Sequence, residues 1–77
     1  VTFANYSATE AALGAALVEA AMRHDIASVR ALVEDGAPVN FAQPGDGTAL
    51  IEAARTGDMA LARYLIAQGA DVDLGVE

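Results

Sequence analysis

The order of apolar and polar residues repeats along the chain at a fixed interval. Residues 17–25 read L-V-E-A-A-M-R-H-D, and residues 50–58 read L-I-E-A-A-R-T-G-D. When residues 14–40 are aligned with residues 47–73 without a gap, 13 of the 27 positions carry the same residue. The offset between the two segments is 33 residues. A fixed period of this length is typical of proteins built from stacked units, so we interpret the chain as two copies of one unit.

The second copy predicts two helices separated by a tight turn. Thr48 is a suitable N-cap, because its hydroxyl can accept a hydrogen bond from the first turn of a helix over about 49–55. Gly57, which tolerates a left-handed backbone, ends that helix. Asp58 then caps a second helix over about 59–67.

The first copy predicts a similar pair of helices. It opens with S-A-T-E, which fits a capping box and predicts a helix over about 8–23. A second helix, over about 26–34, is predicted between Asp25 and Gly36. Gly14 lies inside the first of these helices at a cost of up to about 1 kcal/mol relative to alanine. We expect a neighbouring helix to pass closely at that point.

Residues 36–48 join the two copies and predict a loop. They contain two prolines and three glycines, which are incompatible with a helix. Val39 and Phe41 alternate with polar residues before P-G-D-G turns the chain. A hairpin-like loop between two helix pairs is therefore expected, and the fold class is all-α.

Composition narrows the range of partners. The 77 residues are enough for one small domain, and a net charge of −7 repels nucleic acid and anionic lipid. No apolar run approaches the roughly 20 residues of a membrane span, so we expect no membrane insertion. The chain has no cysteine, which leaves open both the cytoplasm, which we favour, and the periplasm.

His24 is the one histidine of the chain and the first candidate for catalysis. General acid–base chemistry would need a partner within hydrogen-bond reach, and the adjacent Asp25 is predicted to act as a helix cap. Histidine also tolerates a left-handed backbone, which the turn between two helices requires. We therefore predict a structural role for His24.

The acidic residues give no sign of a metal or catalytic site. The C-terminal acids are too sparse for a calcium loop, which needs five or more oxygens at defined spacing: Asp71, Asp73 and Glu77. Glu52 repeats an earlier glutamate through duplication, and we interpret it, with Arg55, as a surface pair. The sequence predicts no catalytic residue, no cofactor and no metal.

Residues 47–73, G-T-A-L-I-E-A-A-R-T-G-D-M-A-L-A-R-Y-L-I-A-Q-G-A-D-V-D, resemble an ankyrin repeat along their whole length. The matching positions are Thr48, Leu50, Ala53, Ala54, Gly57, Leu65, Gly69, Ala70, Asp71 and Val72. The first copy matches over 17–40 and begins like an N-terminal capping repeat. Ala49, Ile51 and His24 depart from the family's proline, histidine and glycine.

This resemblance implies an ankyrin-repeat solenoid of stacked antiparallel helix pairs with hairpin-like loops. The single domain, 1–77, would comprise unit one over about 8–40, unit two over about 41–73 and the start of a third hairpin at 74–77. We expect the sequence to be part of a larger protein.

The resemblance also implies a non-catalytic protein–protein interaction module rather than an enzyme. Its partner-binding residues would lie at the loop tip and on the exposed ends of the first helices: Met22, Arg23, Asn40, Phe41, Pro44, Arg55 and Thr56. For Phe41 two alternatives stay open, an aromatic anchor for a partner and a ring packed under its own loop.

Two other functions are considered. The segment P-G-D-G-T-A-L-I-E-A-A resembles repeats at the tail of bacterial membrane metallopeptidases of the β-lactam-sensor type, which implies a regulatory appendage. Alternatively, copies of the chain associate as a homo-oligomer, because about three units are usually needed for independent stability. The contact would then be formed by the side of unit two that no further repeat covers, which we expect to include Leu61, Tyr64 and Leu65.

Overall fold

The computed structural model describes residues 6–72, which form four α-helices. These are α1 (Ala8–Met22), α2 (Ile26–Glu34), α3 (Ala49–Thr56) and α4 (Met59–Ala67). Each boundary lies within one residue of the range that the sequence predicts. The predicted all-α class is confirmed.

Each helix begins at a side chain that satisfies a free backbone N–H group of the first turn. At α1, the Glu10 backbone N–H donates to Ser7 Oγ over 3.1 Å, and the Ser7 N–H donates to Glu10 Oε1 over 2.9 Å. This is the predicted capping box. The other three helices are capped by residues whose side chains accept from the backbone three residues later: Asp25, Thr48 and Asp58.

The turns within the two helix pairs both use a left-handed backbone. Gly57 has a φ of 78° after α3, and His24 has a φ of 60° at the equivalent place after α1. His24 is the one residue other than glycine with positive φ in the described part of the chain. Its predicted structural role at this turn is confirmed.

One apolar core joins the helices. The first helix α1 packs against both α2 and α3, and α3 packs against α4. Small residues on the two first helices let their axes approach closely: Ala20, Ala21, Ala49 and Ala53. The largest side chains of this core are fully buried: Leu17, Leu61 and Leu65.

Burial of Leu61 and Leu65 contradicts their predicted place on an uncovered face. Both side chains are 0% exposed and belong to the shared core. Tyr64 is half-buried, with the guanidinium of Arg30 lying 5.1 Å from the centre of its ring. The prediction was wrong because this side of α4 faces the core that the two helix pairs share.

The large apolar side chains that are exposed on the second helix pair are different ones. Met59, Ile66 and Val72 are 58%, 48% and 57% exposed. Their equivalents in the first copy are half-buried and packed against the core: Ile26, Val33 and Val39. The second helix pair therefore shows to solvent the positions that the first pair partly covers. We call Met59, Ile66 and Val72 the far face.

The connecting loop, residues 35–48, makes a hairpin-like turn. Backbone N–H groups of Gln43 and Gly47 each donate to the other residue's carbonyl over 2.9 Å, which forms a single antiparallel bridge. The Oδ1 atom of Asn40 accepts a hydrogen bond of 2.7 Å from the backbone N–H of Asp71. This bond ties the connecting loop to the chain that follows α4.

Gly14 lies under an aromatic ring rather than beside the helix that the sequence predicted. A Cβ atom at Gly14 would stand 2.6 Å from Cβ of Phe41, and closer still to its ring. The Phe41 ring also packs against Tyr6, with 5.6 Å between ring centres. The glycine therefore makes room for a side chain of the connecting loop.

Candidate functional site

A groove lies between α1 and the connecting loop. Its volume is about 280 Å³, and its lining residues are Ala15, Ala16, Val18, Glu19, Met22, Gln43 and Asp46. Residues three and four apart share one face of a helix, which is why the α1 members line the groove together. The P-G-D turn carries Gln43 and Asp46 to the opposite wall.

The groove combines an apolar floor with acidic walls. Small alanine side chains leave the floor open, and Met22 is 39% exposed at one end. Glu19 forms an ion pair of 3.6 Å with Arg23, and both side chains are largely exposed. The Asp46 carboxylate has no hydrogen bond or ion pair with any residue between 6 and 72.

The predicted partner-binding residues divide between this groove and its surroundings. Met22 lines the groove, and Arg23 is paired with a lining residue. Pro44 is exposed at the turn between Gln43 and Asp46. Their part in partner binding stays a prediction.

Asn40 and Phe41 have internal partners. Asn40 accepts the hydrogen bond from the Asp71 backbone, and Phe41 is half-buried against Gly14 and Tyr6. The ring thus has the packing role that the sequence left open as one alternative. A further role in recognition stays a prediction for both residues.

The sequence did not single out Ala15, Ala16, Gln43 and Asp46 as site residues. Alanine is common in this chain, so its presence on α1 carries no signal by itself. Only position could have indicated these residues, because small residues lie on one face of α1 and a P-G-D-G turn follows later in the chain. Only the folded chain shows that the turn lies opposite that face.

Arg55 and Glu52 form an ion pair that differs from the predicted surface pair. Arg55 Nη2 donates to Glu52 Oε1, but the Glu52 side chain is 1% exposed and Arg55 is 60% exposed. The second carboxylate oxygen, Oε2, is buried and has no hydrogen-bond partner. The surface interpretation of Glu52 was wrong, because α3 packs against α1 and covers this position.

Consequently, Arg55 supports the fold as well as standing at a predicted binding position. A carboxylate removed from water is costly unless it is paired, and Arg55 supplies the pairing charge. The hydroxyl of neighbouring Thr56 donates to the Glu52 backbone oxygen over 2.9 Å. Both residues at the end of α3 thus have structural partners.

His24 and Asp58 link the turns of the two helix pairs. His24 Nδ1 donates to Asp58 Oδ2 over 3.0 Å, while Asp58 Oδ1 accepts from the Leu61 backbone. The hydrogen bond from His24, followed by the one from Leu61, lowers the pKa of Asp58 below its ordinary value.

The neighbouring acid, Asp25, is also engaged as a cap. Its carboxylate accepts hydrogen bonds from the hydroxyl and the backbone N–H of Ser28, and these lower its pKa. His24 and the two aspartates nearest to it in sequence and in space therefore serve the helix turns. Both carboxylates are thus engaged as helix N-caps.

The described part of the chain offers neither a metal cluster nor a membrane span. Between residues 6 and 72, no three acidic, histidine or cysteine side chains are grouped so that they could hold a metal ion. Asp73 and Glu77, considered with Asp71 in the sequence, lie outside the described residues. Across the same described region, no helix is both long enough and apolar enough to cross a membrane.

Comparison with known proteins bears on the repeat architecture. The protein-family model described as ankyrin repeats in three copies matches residues 5–75. No curated protein matches the chain. The family match gives no support to the likeness to metallopeptidase tails. It agrees with the two helix pairs, their recurring caps and the hairpin-like loop between them, and it covers nearly the whole chain, so the chain belongs to the ankyrin-repeat family.

Proposed function

We propose that this chain is a non-catalytic protein–protein interaction module and that a partner protein binds along the groove. Ankyrin repeats are generally protein–protein interaction modules and typically lack catalysis. The observation that carries the proposal for this chain is the groove itself. It is open, it is formed by a helix and a loop, and it has both apolar and charged lining residues.

The groove is suited to a side chain or a short segment of another protein. Its volume of about 280 Å³ lies at the small end of the about 300–1,000 Å³ that is typical of small-molecule sites. Met22 adds an adaptable apolar contact, since methionine is unbranched and polarizable. The walls belong to a capped helix and a bridged turn, so little order has to be gained on binding.

The proposed surface continues from the groove across the ends of the first helices. Arg55 and Thr56 hold the positions of the second helix pair that Met22 and Arg23 hold in the first pair. Stacked repeats bind through such extended surfaces formed by equivalent positions of successive units. Pro44, exposed on the connecting loop, would flank the same surface.

The groove can be tested by filling it without changing its charge. Peptides selected from a random display library on the folded chain would be titrated into the isotope-labelled chain, and NMR shift changes would be mapped. We expect the changes to centre on the groove and Ala16→Met to weaken binding. Ala31→Met, on the exposed side of α2, is the matched control.

Selected peptides that bind only elsewhere, or that bind Ala16→Met as tightly as the parent chain, would contradict the proposed surface. Arg55 is unsuitable as the test position, because its removal also unpairs the buried Glu52 carboxylate.

A further inference from the structure

We propose that the groove recognises a basic side chain, arginine or lysine, on the partner protein. This inference rests on the proposed function and adds the chemistry of the group that is bound.

The charges on the walls have one sign. Of the seven lining residues, Glu19 and Asp46 are ionisable, and both are acids. They belong to different structural elements, since Glu19 is on α1 and Asp46 is on the connecting loop. A cation in the groove would therefore meet negative charge contributed by both elements. The net charge of −7 adds a favourable long-range field for a basic partner.

Both carboxylates are available to an incoming cation. The carboxylate of Asp46 has no hydrogen bond or ion pair within residues 6–72. The ion pair of Glu19 with Arg23 is 3.6 Å long, and the two side chains are 72% and 60% exposed. An exposed pair of this kind contributes little to stability. Glu19 can thus exchange Arg23 for a guanidinium or ammonium group of the partner at little cost.

The floor suits the rest of a basic side chain. Arginine and lysine carry an aliphatic stem that packs on apolar surface while the charged head stays at the wet edge. Ala15 and Ala16 provide such a surface, and Met22 closes one end. An acidic or phosphorylated group would meet the same carboxylates unfavourably. The combination of an apolar floor and two acidic walls therefore selects a long basic side chain.

The direct test uses a short arginine-containing peptide with blocked ends as the probe. It would be titrated into the labelled chain alongside its lysine counterpart and an uncharged citrulline counterpart of the same shape. We expect both basic peptides to shift the amide signals of Ala15, Ala16, Gln43 and Asp46, and the citrulline peptide to leave them unchanged. Added salt should weaken binding, because the contacts are exposed charges.

Variants then separate local recognition from general attraction. Asp46→Asn and Glu19→Gln should each weaken arginine-peptide binding about threefold. Glu34→Gln removes the same charge from the exposed end of α2 and is the matched control, with an expected change well below that. Circular dichroism of each variant checks that the fold is kept.

Equal binding of the citrulline peptide would overturn the inference, as would equal weakening by Asp46→Asn and Glu34→Gln or no binding of the arginine peptide at the groove. These outcomes differ from failure of the proposed function. If library-selected peptides without basic residues occupy the groove, the interaction module stands and the preference for a basic side chain is wrong.

Discussion

At the scale of single residues, the same letter has different roles in the two copies. Glu19 is 72% exposed by side chain, whereas Glu52, its equivalent in the second copy, is 1% exposed. The α3 position is covered because α1 packs against that helix, and no helix precedes α1 in the described part of the chain. A sequence alignment of the copies cannot show this difference, because burial depends on what lies on either side of each unit.

Removal of Arg55 should therefore destabilise the protein far more than removal of Arg23. We expect Arg55→Ala to lower the free energy of unfolding by on the order of 2 kcal/mol, since a buried carboxylate loses its partner. Arg23→Ala breaks an exposed ion pair and should change the free energy of unfolding by less than about 0.5 kcal/mol. Urea denaturation measures both, and equal effects would show that Glu52 is not held by Arg55.

His24 offers a test of backbone strain against a hydrogen bond. His24→Ala removes the bond to Asp58 and keeps a Cβ in the left-handed region, while His24→Gly removes the bond and the strain together. We expect the glycine variant to be more stable than the alanine variant by about 1 kcal/mol. Thermal unfolding of the two variants measures this difference. An alanine variant at least as stable as the glycine variant would contradict the prediction.

The lowered pKa of Asp58 also predicts an acid sensitivity. The folded state holds the carboxylate ionised to lower pH than the unfolded state does, so its contribution is present above the ordinary aspartate pKa and is lost below about pH 4. His24→Ala moves the pKa of Asp58 in the folded state back toward its ordinary value, so the variant should lose less stability on acidification. Urea midpoints at neutral and acidic pH measure it, and an unchanged acid sensitivity in His24→Ala would exclude the link.

At the scale of helices and loops, the sequence predicted local structure well and contacts less well. Every helix boundary followed from caps, a turn glycine or a left-handed histidine, all of which act within a few residues. The ring over Gly14 and the groove opposite α1 depend on where the connecting loop lies in space. That placement comes from packing between distant residues, which periodicity does not encode.

Gly14→Ala distinguishes helix propensity from this packing. Propensity alone predicts a gain of up to about 1 kcal/mol, but the new Cβ would collide with the Phe41 ring. We expect the free energy of unfolding to fall by about 1–3 kcal/mol instead, as is usual when a packed site is overfilled. In a Phe41→Ala background the same change should become neutral or stabilising, and a double-mutant cycle in urea measures the coupling. Additive effects would mean that the ring does not constrain Gly14.

At the scale of the whole molecule, the two ends of the stack differ. The far face exposes three large apolar side chains: Met59, Ile66 and Val72. In the second helix pair, Leu61 is buried in the core shared with the first pair. The equivalent residue of the first pair is Ser28, so the opposite end of the stack is more polar. Head-to-tail association would bring unlike surfaces together, whereas two far faces are mutually apolar. The self-association considered from the sequence would therefore pair two far faces, which would close the assembly at two chains.

Sedimentation at increasing concentration should then show a monomer–dimer equilibrium. Ile66→Glu places a charge on the far face and should shift the equilibrium to monomer, while Ala31→Glu on α2 adds the same charge elsewhere as a control. Strictly monomeric behaviour at all concentrations, or equal effects of the two variants, would contradict pairing through this face.

The hydrogen bond between Asn40 Oδ1 and the Asp71 backbone has a mechanical consequence. It ties the connecting loop, which carries Asp46, to the residues that follow α4. Loss of the Asn40 side chain would remove this bond and leave the side of the groove that carries Asp46 less firmly held.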